Sequence, residues 1–275
     1  MDILHAILLG VLEGVTEFLP ISSTGHLTIA ESLLGYDITD PAITAFTAFI
    51  QVGATLATVY YFRSDIIRLA KGWLNGIFRG IRDTPDYRMG WAVIIGSTPI
   101  AIVGLLFKSS IETTLRSLWV VAIGLLAWSV VMYAAERVGS QKKSEKLTTW
   151  KDTLIVGMVQ CAALVPGVSR SGATISASLF RGFDKVTATR LSFFLSIPAL
   201  VAAGGLQIAT RSDEIGANIG WTPTIVATVV SFVVAYIAVA WLLKFITTHT
   251  FRIFIIYRVV LGLLLVALLT TGVIS

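Results

Sequence analysis

Apolar residues run for about twenty positions at a time along most of this chain, and polar residues are confined to the gaps. Six such runs, at 43–62, 90–107, 118–136, 188–208, 223–245 and 252–273, are each close to the length a helix needs to cross a bilayer. Two segments break this pattern. Residues 3–19 read as a helix near the lower limit for a span, interrupted by Pro20 and Gly25. The apolar run at 24–34 that follows would cover only about 16 Å, half a membrane. The segment 152–180 behaves alike: an apolar run, Pro166-Gly167, a Ser-Arg-Ser-Gly cluster, and a short helix ending near Gly182. Each predicts a re-entrant helical hairpin. Broken backbone is tolerated at membrane depth only where protein buries it or it lines a wet cavity, so both breaks are site candidates. The basic stretch 63–90, with Trp73 and Phe78, predicts a helix lying at the interface.

The two broken segments align with an offset of 147 residues. Gly10 falls on Gly157, Glu13 on Gln160, Ser22 on Ser169, Ser23 on Arg170, Thr24 on Ser171 and Gly25 on Gly172; Gly35 and Asp37 fall on Gly182 and Asp184. This reads as an internal repeat. The expected fold is an all-α polytopic membrane protein, a single domain over 1–275. Repeat 1 spans about 1–140 with its hairpin at 3–35, and repeat 2 spans about 150–275 with its hairpin at 152–181. Each repeat has one hairpin and three full spans. Three is odd, so the repeats enter the membrane with opposite topology, a plan that gathers sites near the midplane.

Composition supports the membrane reading. The chain has 275 residues, 55% of them hydrophobic and only 13% charged, with a mean hydropathy of +0.83; soluble domains carry about 25% charged residues. The net charge of +5 does not mark a nucleic-acid surface, because the basic residues sit in short loops between apolar runs. With hairpins returning to the side they entered from, sixteen of the 21 Lys and Arg fall on one face, in 63–88, 137–151, 181–190 and at Lys244 and Arg252. Lys108, Arg116 and Arg211 fall on the other. The richer face is expected in the cytoplasm, which puts both termini and the mouth of the first hairpin outside. Residues 1–9 lack the basic start of a signal peptide, so the first segment is expected to stay in the mature protein. The single cysteine, Cys161, rules out an intrachain disulfide and reads as a small apolar residue.

The candidate chemistry lies in the breaks. Glu13 and Glu17 share one helix face, and two carboxylates at membrane depth need a cation, an arginine or a shared proton. Arg170 is the natural partner; the plain alternative is a structural ion pair. The N-termini near Ser23 and Ser171, with the hydroxyls of Ser22, Ser23, Thr24, Ser169, Ser171 and Thr174 and the Arg170 fork, describe an anion site best suited to phosphate. Helix capping is the bland reading of any one of those hydroxyls. His26 is a candidate acid, base or nucleophile. Glu13 and Glu17, alone or with neutral His26, are candidate ligands of a divalent cation, Mg or Ca rather than Zn. Two polar residues lie inside spans. Gln51 reads first as an inter-helix hydrogen-bonder and second as a substrate contact. Arg258 needs an acidic partner or a lipid phosphate.

The motifs EGVTEFLPISSTGH (Glu13 to His26) and PGVSRSGAT (Pro166 to Thr174) resemble the two signatures of the bacterial undecaprenyl-diphosphatases, the bacitracin-resistance lipid phosphatases. FIQVGATLA (Phe49 to Ala57) and IYRVV (Ile256 to Val260) are also similar to family segments. The resemblance implies removal of the terminal phosphate of undecaprenyl diphosphate, which regenerates the monophosphate carrier for cell-wall polymers. It also implies a divalent cation, a bacterial plasma (inner) membrane location, and Glu13, Glu17, His26 and Arg170 as essential polar residues. Ser23 matches the proposed nucleophile position. The implied partners are a polyprenyl diphosphate lipid and the bilayer, with a homodimer also compatible. Three nucleophiles stay open at this point: Ser23, His26 and metal-bound water. Inverted repeats equally suit a lipid flippase using the same anion site.

Overall fold

The computed structural model describes residues 1–107, 111, 115 and 117–272. Helices α1 (Ile3–Thr16) and α2 (Ser23–Leu33) form the first hairpin. Helices α3 (Pro41–Tyr61), α4 (Arg63–Phe78), α5 (Pro85–Leu106) and α6 (Leu118–Val138) follow. Helices α7 (Trp150–Gln160) and α8 (Arg170–Phe180) form the second hairpin. Helices α9 (Lys185–Glu214), α10 (Trp221–Phe245) and α11 (Arg252–Thr270) complete the chain. Among the described residues the only β pairing is the isolated bridge between Lys143 and Phe183. Among the described residues, six helices are long and apolar enough to cross a membrane: α3, α5, α6, α9 with its π-helical extension to Ile219, α10 and α11. The protein is an all-α polytopic membrane protein.

Three expected boundaries move. Helix α1 stops at Thr16 rather than 19, and the backbone turns through Pro20. Helix α5 begins at Pro85, five residues before the expected span, because the Thr84 hydroxyl caps it by accepting from the Tyr87 N–H at 3.2 Å. Helix α9 runs past 208, through Pro198 and a Gly-Gly pair, because its polar last turns are held by the i,i+3 pair Arg211–Glu214. Lys108 and Arg116, two of the basic residues assigned to the opposite face, lie outside the described residues.

Small residues let the hairpins approach the spans closely. A Cβ on Gly10 would stand 2.5 Å from the Ala227 carbonyl oxygen of α10, and one on Gly157 would overlap the Gly96 carbonyl of α5. Both first arms of the hairpins are thus seated by a glycine against a long helix, the small-residue packing expected where apolar surface gives no contrast with lipid. The buried aromatic knot lies between the first hairpin and α9. Phe18 meets Phe193 edge-on at 5.5 Å, and Phe62 packs on Phe193 and Phe194.

The second arms start in the same way. Ser22 and Ser169 hold φ of 74° and 75°, uncommon for residues with a Cβ. Each hydroxyl accepts from the glycine N–H three residues on, Gly25 at 3.3 Å and Gly172 at 3.1 Å. The left-handed serine turns the chain sharply enough to open a new helix within the hairpin tip. Ser171 Oγ then donates to the Leu19 carbonyl at 2.9 Å, joining one tip to the other.

Candidate functional site

Glu17 caps the end of α1, and Ser23 is the first residue of α2. The intervening turn folds them together, and Ser23 Oγ donates to Glu17 Oε2 at 2.5 Å. Arg170, the first residue of α8, donates from Nη2 to Glu17 Oε1 at 3.1 Å. One carboxylate therefore joins the hydroxyl of one hairpin to the guanidinium of the other. The Arg170 Nη1 has no hydrogen-bond partner among the described residues. Its guanidinium lies 5.5 Å from the Phe18 ring centroid, which backs the fork from the apolar side.

Glu13 sits one turn before Glu17, almost fully buried, with the two carboxyl groups in hydrogen-bonding contact. Such a contact requires a shared proton or a cation. Glu13 Oε1 is buried with no partner among the described residues.

His26 lies three residues after Ser23, but its ring turns away. Its Nδ1 stands 2.7 Å from the Ser22 carbonyl oxygen, which can only accept, so Nδ1 carries a proton. Its Nε2 stands 2.7 Å from the Tyr257 hydroxyl, with the two rings nearly parallel at 5°. In the neutral ring, Tyr257 donates and Nε2 accepts. Both nitrogens are thus engaged away from Glu13 and Glu17, the two candidate metal ligands to which His26 was an optional third.

The hydroxyls divide into two groups. Ser22, Ser23, Thr24 and Ser169 line a cavity of about 170 Å³ together with Glu17, Gln51 and Arg170, walled by Ile100, Leu164, Pro166 and Leu200. The side chain of Gln51 makes no hydrogen bond among the described residues, so its inter-helix reading gives way to a cavity-lining one. Ser171 and Thr174 do not reach the cavity. Ser171 spans the hairpin tips, and Thr174 Oγ1 is buried against the Arg170 carbonyl at 2.8 Å and Ser192 Oγ at 2.7 Å. The two hydroxyls expected to contact substrate here hold backbone and a neighbouring serine.

Arg258, expected to meet an acidic residue or a lipid phosphate, is engaged by backbone. It is fully buried and has no acidic partner among the described residues. Its guanidinium donates to the carbonyls of Pro20 at 3.3 Å and Gly167 at 2.9 Å, one in each hairpin turn. It also reaches Gly124, Leu125 and the Ser129 hydroxyl of α6. Turn carbonyls left without helical partners are satisfied by this fork, which is why an arginine is stable at that depth.

The profile of the family described as "Bacitracin resistance protein BacA" matches residues 6–264. The chain belongs to the BacA family. It is 60% identical to a protein of Frankia casuarinae named undecaprenyl-diphosphatase 3, over 100% of this chain and 99% of that one. It is 53% identical to the undecaprenyl-diphosphatase of Cutibacterium acnes over the full length of both. Undecaprenyl-diphosphatase 1 of Streptomyces avermitilis is 51% identical over 98% of each chain.

In this BacA-family chain the donors available to a metal are few. Among the described residues no group of three or more His, Cys, Asp or Glu is arranged to hold an ion. The touching Glu13 and Glu17 carboxyls and the orphaned Glu13 Oε1 nevertheless fit an oxygen-loving cation completed by hydroxyl, carbonyl or substrate oxygens.

Two residues escape the sequence reading. Tyr257 completes His26, and the signal was its place beside Arg258 in a segment already singled out. Glu31 is fully buried on α2 and accepts from the Thr47 hydroxyl at 2.7 Å. It is the one acidic residue of the run 24–34, which was sufficient to mark it.

Proposed function

We propose that this chain hydrolyses the terminal phosphate of a polyprenyl diphosphate, undecaprenyl diphosphate, returning the monophosphate carrier to cell-wall synthesis and raising resistance to bacitracin. The observation that carries the reading is the Ser23–Glu17–Arg170 constellation, with Ser23 Oγ 2.5 Å from Glu17 and Arg170 on the other carboxylate oxygen. Relatives of matching length named undecaprenyl-diphosphatase support the substrate.

In this reading the terminal phosphate enters the cavity and takes the free donor of Arg170, the hydroxyls of Thr24 and Ser169, and the positive ends of α2 and α8. Glu17 takes the proton of Ser23 as Oγ attacks phosphorus. The bond from that phosphorus to the bridging oxygen breaks, and the lipid monophosphate leaves with the electron pair. Glu17 hands that proton to the departing lipid monophosphate and is a base again. Water then attacks the phosphoserine, giving a proton to Glu17 as the bond from phosphorus to Ser23 Oγ breaks. Glu17 returns the proton to Oγ, and inorganic phosphate departs. Arg170 and the helix ends stabilise the charge on the equatorial oxygens in both steps. A divalent cation, Mg or Ca, held by Glu13 and Glu17 would neutralise the diphosphate. His26 is the weaker nucleophile here, because attack through Nε2 would first break its bond with Tyr257.

The setting proposed is the bacterial plasma (inner) membrane. The basic loops lie in the cytoplasm, the termini and the first hairpin's mouth lie outside, and the two halves are inverted repeats. Purified protein in detergent, given a C55 lipid diphosphate and a divalent cation, is expected to release inorganic phosphate. No release, together with movement of labelled lipid across liposomes, would replace the enzyme with a flippase.

A further inference from the structure

Helices α5 and α7 touch where Gly96 meets Gly157 and part toward their N-terminal ends. The gap is a groove of about 770 Å³, walled by Trp91 and Ile95 of α5 and by Trp150 of α7, with Arg88 and Lys151 at its rim and Thr148 lining it. No acidic residue lines it. Among the described residues, Arg88 has one long contact, 3.4 Å to a fully exposed Asp83, and Lys151 has only the Trp150 ring at 5.7 Å. The Asp152 carboxylate nearby is already taken by Lys143, Arg181 and Thr149. Thr148 is 8% exposed, and its hydroxyl has no partner among the described residues.

The repeat supplies a control. At the places equivalent to Trp150 and Lys151, the first hairpin carries Ile3 and Leu4. Seating a hairpin arm on a long helix therefore does not call for a cation or an indole. The second hairpin has acquired both at the end where the basic loops lie.

We propose that this groove binds an anionic glycerophospholipid of the surrounding leaflet. Its phosphate would lie between Arg88 and Lys151 and accept from the Thr148 hydroxyl. Its acyl chains would run down past Trp91, Trp150 and Ile95, apolar walls flanked by amphipathic rings of the kind that settle at headgroup depth. Charge complementarity selects the headgroup, since Arg88, held only by its long contact to exposed Asp83, and Lys151 meet no acidic residue in the groove lining. The site is separate from the Glu17 cavity and does not depend on the catalytic reading.

The full-length protein in phosphatidylcholine nanodiscs tests this, with brominated phosphatidylglycerol or brominated phosphatidylcholine as a tryptophan quencher. The wild type is expected to be quenched at lower mole fraction by the anionic lipid, by about fivefold per cation and so about 25-fold in all. The preference should disappear in R88Q/K151Q, whose changed side chains are exposed. The part of the quenching that favours the anionic lipid should disappear in W91F/W150F, leaving the lipid-independent quenching of Trp119, Trp221 and Trp241. The control R137Q/K244Q, on the same face but away from the groove, should keep the preference. Equal quenching by the two lipids would overturn the proposal, as would equal losses in both charge variants, which would mean bulk surface attraction. Displacement of the quencher by polyprenyl monophosphate but not by unlabelled phosphatidylglycerol would also overturn it.

Discussion

At equivalent places in the two hairpins, Ser22 and Ser169 adopt the same left-handed backbone, and each hydroxyl caps the same glycine three residues on. Around that shared frame the side chains part. Glu13, Glu17, Ser23 and His26 of the first hairpin stand opposite Gln160, Leu164, Arg170 and Ala173 of the second. The second hairpin makes its cap with alanine where the first has histidine, so His26 is not required for the turn. What the two hairpins share builds their turns, and three of the residues in which they differ, Glu17, Ser23 and Arg170, meet in the cavity. The mouths differ too. At the first, His5 Nδ1 stands 2.8 Å from the Tyr36 hydroxyl. At the equivalent of His5, the second has buried Asp152, held by Lys143, by Arg181 at 2.9 Å and by the Thr149 hydroxyl at 2.6 Å.

The sharpest way to break this contrast is at the carboxylate that joins the hairpins. In the proposed mechanism Glu17→Gln removes the base and the Arg170 partner together. Its kcat for phosphate release should fall roughly 10²- to 10⁴-fold. A loss of less than tenfold would mean that Glu17 does not take the serine proton.

The mouths offer a second comparison. Asp152→Ala strands two cations that can partly reach water, and should cost about 2 kcal/mol in detergent unfolding. His5→Ala should cost about 1 kcal/mol or less. Equal costs would erase the distinction between the two mouths.

Tyr257→Phe deletes only a hydroxyl and leaves His26 Nε2 without its donor. If His26 serves chemistry rather than the cap, kcat should fall about tenfold, equivalent to about 1.4 kcal/mol, while the thermal midpoint moves little. A large loss of stability with unchanged kcat would return His26 to a packing role.

The smallest effect concerns α4, which has no counterpart between α9 and α10. Burial raises the Asp65 carboxyl. The hydrogen bond from Arg68 and the charge and hydrogen bond of Arg190 outweigh this and hold it below its ordinary value. A carboxyl lowered on folding contributes stability above its unfolded pKa, about 3.9, and loses it as pH falls through the folded value. Asp65→Asn should therefore cost about 1 kcal/mol near neutrality, and the two proteins should converge below about pH 4. A constant gap down to the lowest pH tolerated would show that the charge is not the cause.

The spans were legible because length and apolarity suffice for a helix in lipid. The hairpins were legible because Pro20, Pro166 and Gly167 interrupt those runs. Glu17 and Arg170 could be paired in advance, since two charges at depth need each other. The contact with Ser23 could not be, because it depends on a turn set by the φ of Ser22. The carbonyl partners of Thr174 and Ser171 were hidden for a related reason: a hydroxyl in an apolar helix looks the same in sequence whether it faces a cavity or a carbonyl. Arg258 looked for an anion and found the carbonyls of two turns, far away in the chain. Tyr257 was hidden because a tyrosine in an apolar helix ordinarily marks the interface.

Trapping the phosphoenzyme tests the central claim most directly. Labelled at the terminal phosphate, the lipid diphosphate should leave an acid-stable phosphoserine on the wild type and on His26→Ala, and none on Ser23→Ala. An acid-labile adduct that survives in Ser23→Ala and vanishes in His26→Ala would contradict the account.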